Sequence, residues 1–391
     1  MTSVQTKARG SLDQQQLHFT PPKSHRFLFL DALRGIAALF VVAFHFPTVM
    51  TSSVAANGPL AVDFFFCLSG FVIAFSYERR LTETLSLKDF AVARLIRLYP
   101  IYILGSLLGL LSLILVLHFA FHGAESWSGS LSLLALALFI WPTRLSPLGD
   151  SFNYPLNIPA WSLFYEIFAN LAYALLVKLR AARSTVLACI VAASLALLVN
   201  AVASGNGTDQ GGRQAGFGLG FARVSLSFFL GVLICRYYRS RPADAVTTWL
   251  HRLAPLVITF VLIGILSSPF PWMRTEGFRL FAISLCFPAM VYYGALARFP
   301  HSFTRLATAL GELSYPLYLL HMPFVSLLRA RRLVKFTTTH AALVHGAALC
   351  AIAIFAFLSW QIGEHVDLPI RRALTRLYNS YKQSRLTPIQ P

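Results

Sequence analysis

The sequence predicts an all-α polytopic membrane protein of about ten transmembrane helices, with one short re-entrant or interfacial segment near residues 131–142. Three observations predict it. Of 391 residues, 56% are hydrophobic and only 12% charged, about half the charge of a soluble domain. Apolar runs long enough to cross a bilayer recur from end to end. Lys and Arg gather in alternate loops, as the positive-inside rule requires of cytoplasmic loops.

Taken in order, residues 1–26 are rich in Gln, Pro and Ser and read as a disordered cytoplasmic tail. No cleavable signal peptide is expected, because the first apolar run is too long and carries Asp31 and Arg34. Spans are expected at 28–47, 60–77, 98–119, 160–178, 185–203, 221–237, 254–268, 279–297, 313–329 and 341–362. The run 131–142, LSLLALALFIWP, is too short for an upright span. If it does not cross, the basic loops 78–97, 178–184, 236–252 and 298–305 share one side with both tails, and that side is cytoplasmic. Loop 329–335, RARRLVK, breaks the pattern. It is either an interfacial stretch or a mislocated boundary, or it meets an anionic partner outside. The Gly-rich stretch 204–220 follows no strand and lacks a Lys-Ser/Thr ending, so it reads as a flexible connector rather than a phosphate loop. The expected division is thus a tail 1–26, a transmembrane domain 27–370 and a basic cytoplasmic tail 371–391. The net charge of +18 points to basic loops against anionic lipid, not to nucleic acid. The five scattered cysteines have no metal spacing, there is no HExxH, and no metal is expected.

Charged residues inside a bilayer are costly and by default face protein or a water-filled cavity. The first span, FLFLDALRGIAALFVVAFHFP, holds Asp31, Arg34 and His45. Arg34 and His45 are eleven residues apart, close to three turns, so they share a face about 16 Å apart along the axis. Asp31 with Arg34 also reads as a plain ion pair at the helix entrance. Asp63 opens the second span and has two compatible readings: a helix N-cap, or a carboxylate that orients His45 as a general base. Arg94 and Arg97 lie one turn apart before the third span, suited either to gripping phosphates or to anchoring at the inner surface. Glu166 sits a turn and a half into the fourth span and needs a partner or a proton, while Trp161 and Tyr165 read as interface anchors. In GELSYPLYLLHMP, Glu312 and Ser314 read as helix-start residues, beside Tyr315. Ser314 and His321 are two turns apart, too far for a dyad, and His321 is a second intramembrane histidine that could line a cavity.

Five motifs occur in one order across residues 26–370: LDALRGIAALFVVAFH, FFFCLSGFVIA, ARLIRLYPIY, PAWSLFYEIFANL and GELSYPLYLLH. Together they resemble the acyltransferase-3 family, bacterial integral-membrane enzymes that O-acylate cell-surface polysaccharides and related acceptors. The resemblance implies a ten-helix core in the inner membrane, a cytoplasmic acyl-CoA donor (often acetyl-CoA) and a saccharide or lipid-linked glycan acceptor reached from outside. It implicates Arg34 and His45, Asp63 and the pair Arg94 and Arg97, and its WSLxxE-type motif falls on Trp161, Ser162, Leu163 and Glu166. Many members carry two carboxylates after WSL; here Tyr165-Glu166-Ile167 leaves one.

Read with that resemblance, His45 deprotonates the acceptor hydroxyl with Asp63 as orienter, and Glu166 joins the catalytic set. Arg34, Arg94 and Arg97 hold the donor, whose pantetheine arm threads toward His45. Trp161, Ser162, Tyr315 and His321 are the expected substrate contacts. An acyl-enzyme on His45 or a serine stays open. The competing readings are a transporter or flippase of a glycan or lipid, which would carry repeats or broken helices in matching halves, and a structural partner in a polysaccharide export complex.

Overall fold

The computed structural model describes residues 27–46, 54–120, 127–145, 151–241, 248–268, 270–297, 301–330 and 341–386. The expected tail 1–26 and all but the backbone of Arg329 and Ala330 in loop 329–335 lie outside these residues. Twelve helices make up the described chain: α1 (Leu28–His45), α2 (Ala61–Glu83), α3 (Leu87–Ala120), α4 (Trp127–Leu138), α5 (Ala160–Lys178), α6 (Ser184–Ala203), α7 (Phe217–Ser240), α8 (Thr248–Ser267), α9 (Glu276–Leu296), α10 (Thr304–Ala330), α11 (Ala341–Ile362) and α12 (Leu368–Leu386). A π turn, Ala282–Cys286, interrupts α9, and another, Gly363–Asp367, joins α11 to α12. Among the described residues no β-strand forms; one isolated bridge links Phe152 and Arg213.

Each of the ten expected spans is a helix. Eight helical segments of the described chain are long and apolar enough to cross a membrane. The two expected spans outside that group are α8, whose apolar stretch Leu253–Ser267 is short, and α10, which carries Arg305, Glu312, His321 and two prolines. α4 is a twelve-residue apolar helix, about 18 Å long and too short to span. It leans on the middle of α3, where the Tyr102 hydroxyl donates to the Ala137 carbonyl at 2.5 Å.

Several boundaries differ from expectation: α10 begins at Thr304 rather than 313, which puts Glu312 and Ser314 inside the helix, and three others show the reason, that a helix does not stop where its apolar run stops. α2 continues past residue 77 to Glu83, where Glu78 accepts from Arg236 of α7 at 2.5 Å. α3 begins at Leu87 rather than 98, behind a Ser86 hydroxyl that accepts from the Asp89 amide at 3.0 Å. Arg94 and Arg97 therefore sit on an established helix, not in a loop. The stretch after 370, expected as a tail, is the helix α12, held to the start of α3 where Tyr378 and Lys382 donate to Asp89 at 2.8 and 3.1 Å.

The ends of the bundle follow from chain direction. Phe27, at the start of α1, packs on Phe75 of α2 and Tyr238 of α7. This basal end also carries the start of α3 and α12, and it is rich in Arg. The opposite, far end carries the close of α1 and the starts of α2, α5 and α7. α1 packs most extensively on α10, and α2 on α7. The α2–α7 contact is close because Gly70 and Gly231 face each other's helix: a Cβ on Gly70 would overlap the Phe228 carbonyl, and one on Gly231 the Cys67 carbonyl. The Gly-rich connector, expected to be flexible, is pinned instead. Asn153 donates to the carbonyls of Gly211 and Gly212 at 3.1 Å, and Gly211 lies against Trp161 and Tyr165.

Candidate functional site

A cavity of about 490 Å³ opens from the basal end among α1, α2, α3, α5, α10 and the π turn after α11. Its walls are mostly apolar, with a few polar groups in line, the usual make-up of a small-molecule site. Arg97 is exposed and lines it, and Arg371 lines it from the start of α12. Arg94 and Arg34 line it too. Arg94 is buried and donates to Glu166 Oε1 at 2.9 Å; Ser69 donates to the same oxygen at 2.8 Å. The partner that Glu166 needed is therefore Arg94. Arg34 donates through Nε to Ser314 Oγ and through Nη2 to the Gly311 carbonyl, both at 2.8 Å, and lies 3.4 Å from Asp31. The Ser314 hydroxyl in turn donates to Gly311 at 2.7 Å. Ser314, expected only as a helix-start residue, is thus a strut that aims Arg34. Two buried donors on this wall, Arg94 Nε and Trp360 Nε1, have no hydrogen-bond partner among the described residues. Tyr315 also lines the cavity, its hydroxyl donating to the Leu98 carbonyl.

Beyond the cavity, Asp63 is fully buried and does not meet His45. Its carboxylate is gripped by Arg223 of α7, with Nε at 3.0 Å from Oδ1 and Nη2 at 2.8 Å from Oδ2. This corrects the expected orienting contact: a guanidinium 2% exposed takes the carboxylate, because a buried cation must be paired. Arg223 also holds Asp209 of the Gly-rich connector at 2.6 Å, donates to the carbonyls of Pro59 and Gln210, and lies 5.1 Å over the Trp161 ring. Trp161 therefore packs the network and is not among the residues lining the cavity. Arg223 was missed by sequence reasoning. Its signal was present, since it sits inside an apolar run as Arg34 does.

His45 closes α1 and is half-buried. It meets His321 of α10, which is fully buried: the rings lie 4.9 Å apart and His321 Nε2 is 3.3 Å from His45 Nδ1. The hydrogen bonds assign the protons. His45 Nδ1 is 2.8 Å from the Val41 carbonyl and His321 Nδ1 is 2.6 Å from the Tyr318 carbonyl. Carbonyls only accept, so each Nδ1 carries a hydrogen. In the neutral pair the lone pair of His321 Nε2 then faces the Nδ1–H of His45, and the lone pair of His45 lies on Nε2.

The cavity stops short of this pair, and neither histidine lines it. Phe65 and Tyr318 line its inner part, packed edge to face at 5.6 Å, with Val62 and Ser162 beside them. The Tyr318 hydroxyl and Ser162 Oγ are 2.8 Å apart; Ser162 lines the cavity and also donates to the Pro159 carbonyl. On its other side the Tyr318 ring lies 5.9 Å from the His321 ring. Of the residues singled out from sequence, Arg34, Arg94, Arg97, Glu166, Ser162 and Tyr315 share the cavity, His45 and His321 form a second centre against the Tyr318 ring, and Asp63 and Trp161 belong to the Arg223 network. No group of three or more His, Cys, Asp or Glu able to hold a metal occurs among the described residues.

Residues 27–362 match the acyltransferase-3 family, described as an acyltransferase domain. The chain is also similar to Protein 2 in picA locus of Rhizobium radiobacter, with 39% identity over 173 residues, 40% of this chain and 83% of that protein. No solved structure matches.

Proposed function

Because this chain belongs to the acyltransferase-3 family and is a membrane-embedded acyltransferase, we propose that it moves an acetyl group from cytoplasmic acetyl-CoA to a hydroxyl of an extracytoplasmic or lipid-linked saccharide. In this reading the protein lies in the bacterial inner membrane with both termini in the cytoplasm, so the basal end faces the acyl-CoA pool. The observation that carries it is the basal cavity with Arg97, Arg94 and Arg34 along its wall. Guanidiniums suit phosphates, and the unpartnered N–H donors of Arg94 and Trp360 suit the amides and carbonyls of a pantetheine arm.

The chemistry then runs from His45. Its Nε2 lone pair takes the acceptor hydroxyl proton as the oxygen attacks the thioester carbonyl. The C–S bond breaks, the acyl–oxygen ester remains, and the proton on Nε2 passes to the departing thiolate to give CoA–SH. Arg94, already tied to Glu166, and Arg34, already tied to Ser314, are held in place before the donor arrives, which lowers the cost of ordering it. His45 and Arg34 stand about 16 Å apart along α1, so donor headgroup and reacting carbonyl belong at opposite ends of an extended arm.

The test is transfer of radiolabelled acetyl from acetyl-CoA to cell-envelope material by membranes carrying wild type, His45→Ala or Arg34→Ala at matched expression. Label in the wild type and its loss in both variants is the expected result. Full transfer by His45→Ala would sink the scheme.

A further inference from the structure

We infer that His321 is the positioning residue of His45, the part for which the sequence had proposed Asp63. This rests on the reading above, in which His45 is the base. The geometry gives His45 Nδ1 two acceptors, the Val41 carbonyl of its own helix at 2.8 Å and His321 Nε2 of α10 at 3.3 Å. The first belongs to α1 and moves with it. The second comes from a different helix and fixes the ring relative to the rest of the bundle. His321 is itself fixed by the Tyr318 carbonyl at 2.6 Å and is fully buried. A rigid, dry neighbour is what an orienting group needs.

The pair works as a neutral form of the carboxylate–histidine arrangement. When His45 Nε2 takes the acceptor proton, the ring becomes an imidazolium with hydrogens on both nitrogens. The positive charge is met at Nδ1 by the His321 Nε2 lone pair and the Val41 carbonyl. His321 stays neutral throughout, keeps its own Nδ1–H on Tyr318, and exchanges no proton with solvent. When the thiolate takes the proton from Nε2, the pair returns to its starting tautomers. An uncharged acceptor suits this position, since Asp63 is already committed to Arg223 and a second buried carboxylate would need its own cation.

The experiment is steady-state transfer from labelled acetyl-CoA to cell-envelope material by wild type, His321→Leu, His321→Gln, Asp63→Asn and His45→Ala, each checked for expression and melting temperature. His321→Leu removes the acceptor and is expected to lower kcat by about 100-fold or more with the KM for acetyl-CoA unchanged, the scale of a lost orienting partner. His321→Gln restores an acceptor oxygen and should recover at least tenfold over leucine. Adding His321→Leu to His45→Ala should cost nothing more, because the two act as a unit. The inference is overturned if folded His321→Leu keeps kcat within threefold of wild type while His45→Ala is inactive, or if folded His321→Gln is no better than leucine. If the leucine variant does not fold, the folded glutamine variant decides alone: activity within about tenfold of wild type supports the inference, and inactivity overturns it. Wild-type transfer unaffected by His45→Ala brings down the reading beneath instead.

Discussion

Asp63→Asn is the substitution whose cost the structure fixes best. The change keeps the shape of the side chain but turns one carboxylate oxygen into an amide that points hydrogens at a guanidinium. Asp63 is fully buried and Arg223 is 2% exposed, so water cannot repair the loss. Breaking a buried pair by removing one partner costs about 3–5 kcal/mol. Arg223 keeps Asp209 at 2.6 Å and the carbonyls of Pro59 and Gln210, which puts the expected loss near ~3 kcal/mol. At about 2 °C per kcal/mol for a chain of this size, the apparent melting temperature in detergent should fall by ~6 °C. Asp209→Asn is the control: its side chain is 57% exposed, and an exposed partner is worth at most ~1 kcal/mol. The double variant Asp63→Leu, Arg223→Leu should melt higher than Asp63→Asn, because no buried unpaired charge remains and Asp209 is exposed. A shift under 2 °C for Asp63→Asn, or a larger shift for Asp209→Asn, would refute the assignment of Asp63 to Arg223 rather than His45.

Three further outcomes follow from the same geometry. Gly70→Ala drives a methyl into the Phe228 carbonyl and should abolish folded protein on size-exclusion chromatography, whereas Gly264→Ala, with nothing within 4 Å of the added carbon, should express as wild type. Arg97→Ala should raise the KM for acetyl-CoA several-fold with kcat unchanged, and added salt should shrink the difference because the residue is exposed; Arg94→Ala should also lower the melting temperature, since Glu166 loses its cation and keeps only the Ser69 hydroxyl. Tyr318→Ala removes the ring between cavity and histidines and should raise acetyl-CoA hydrolysis in the absence of acceptor, measured as free thiol, while Tyr318→Phe keeps the ring and should not.

Much of this architecture was legible in the chain. Ten apolar runs marked ten helices, and the polar residues within them marked Arg34, His45, Asp63, Glu166 and His321. Helix ends were harder, because α2 and α3 run on through polar turns where hydropathy gives no signal. The Ser86-x-x-Asp89 pattern before α3 was a readable cap. Partners were harder still. Asp63 and Arg223 are 160 residues apart and His45 and His321 are 276 apart, and no periodicity within a helix says which helix it will face. Arg223 itself was legible by the argument applied to Arg34, and its presence left two candidates for the Asp63 carboxylate where the sequence had considered one. The Gly-rich connector misled for a physical reason: glycines that look permissive for motion here permit close approach, with Gly211 seated on Trp161 and Tyr165.

The aromatic pair of Phe65 and Tyr318 carries a consequence for the cell that holds this protein. A basal cavity of about 490 Å³ reaching toward the middle of a bundle shortens the insulating path between the two faces of an energised membrane. Each elementary charge that leaks through forfeits about 2.3 kcal/mol per 100 mV. Two aromatic rings 5.6 Å apart stand on that cavity's wall, and one of them, tied to Ser162 by its hydroxyl, lies 5.9 Å from the His321 ring. In the reading proposed above, a group that travels from the cavity to His45 passes those rings. On that reading, passage of the acyl group and resistance to protons meet at the same aromatic pair, and a variant that loosens one is expected to loosen the other.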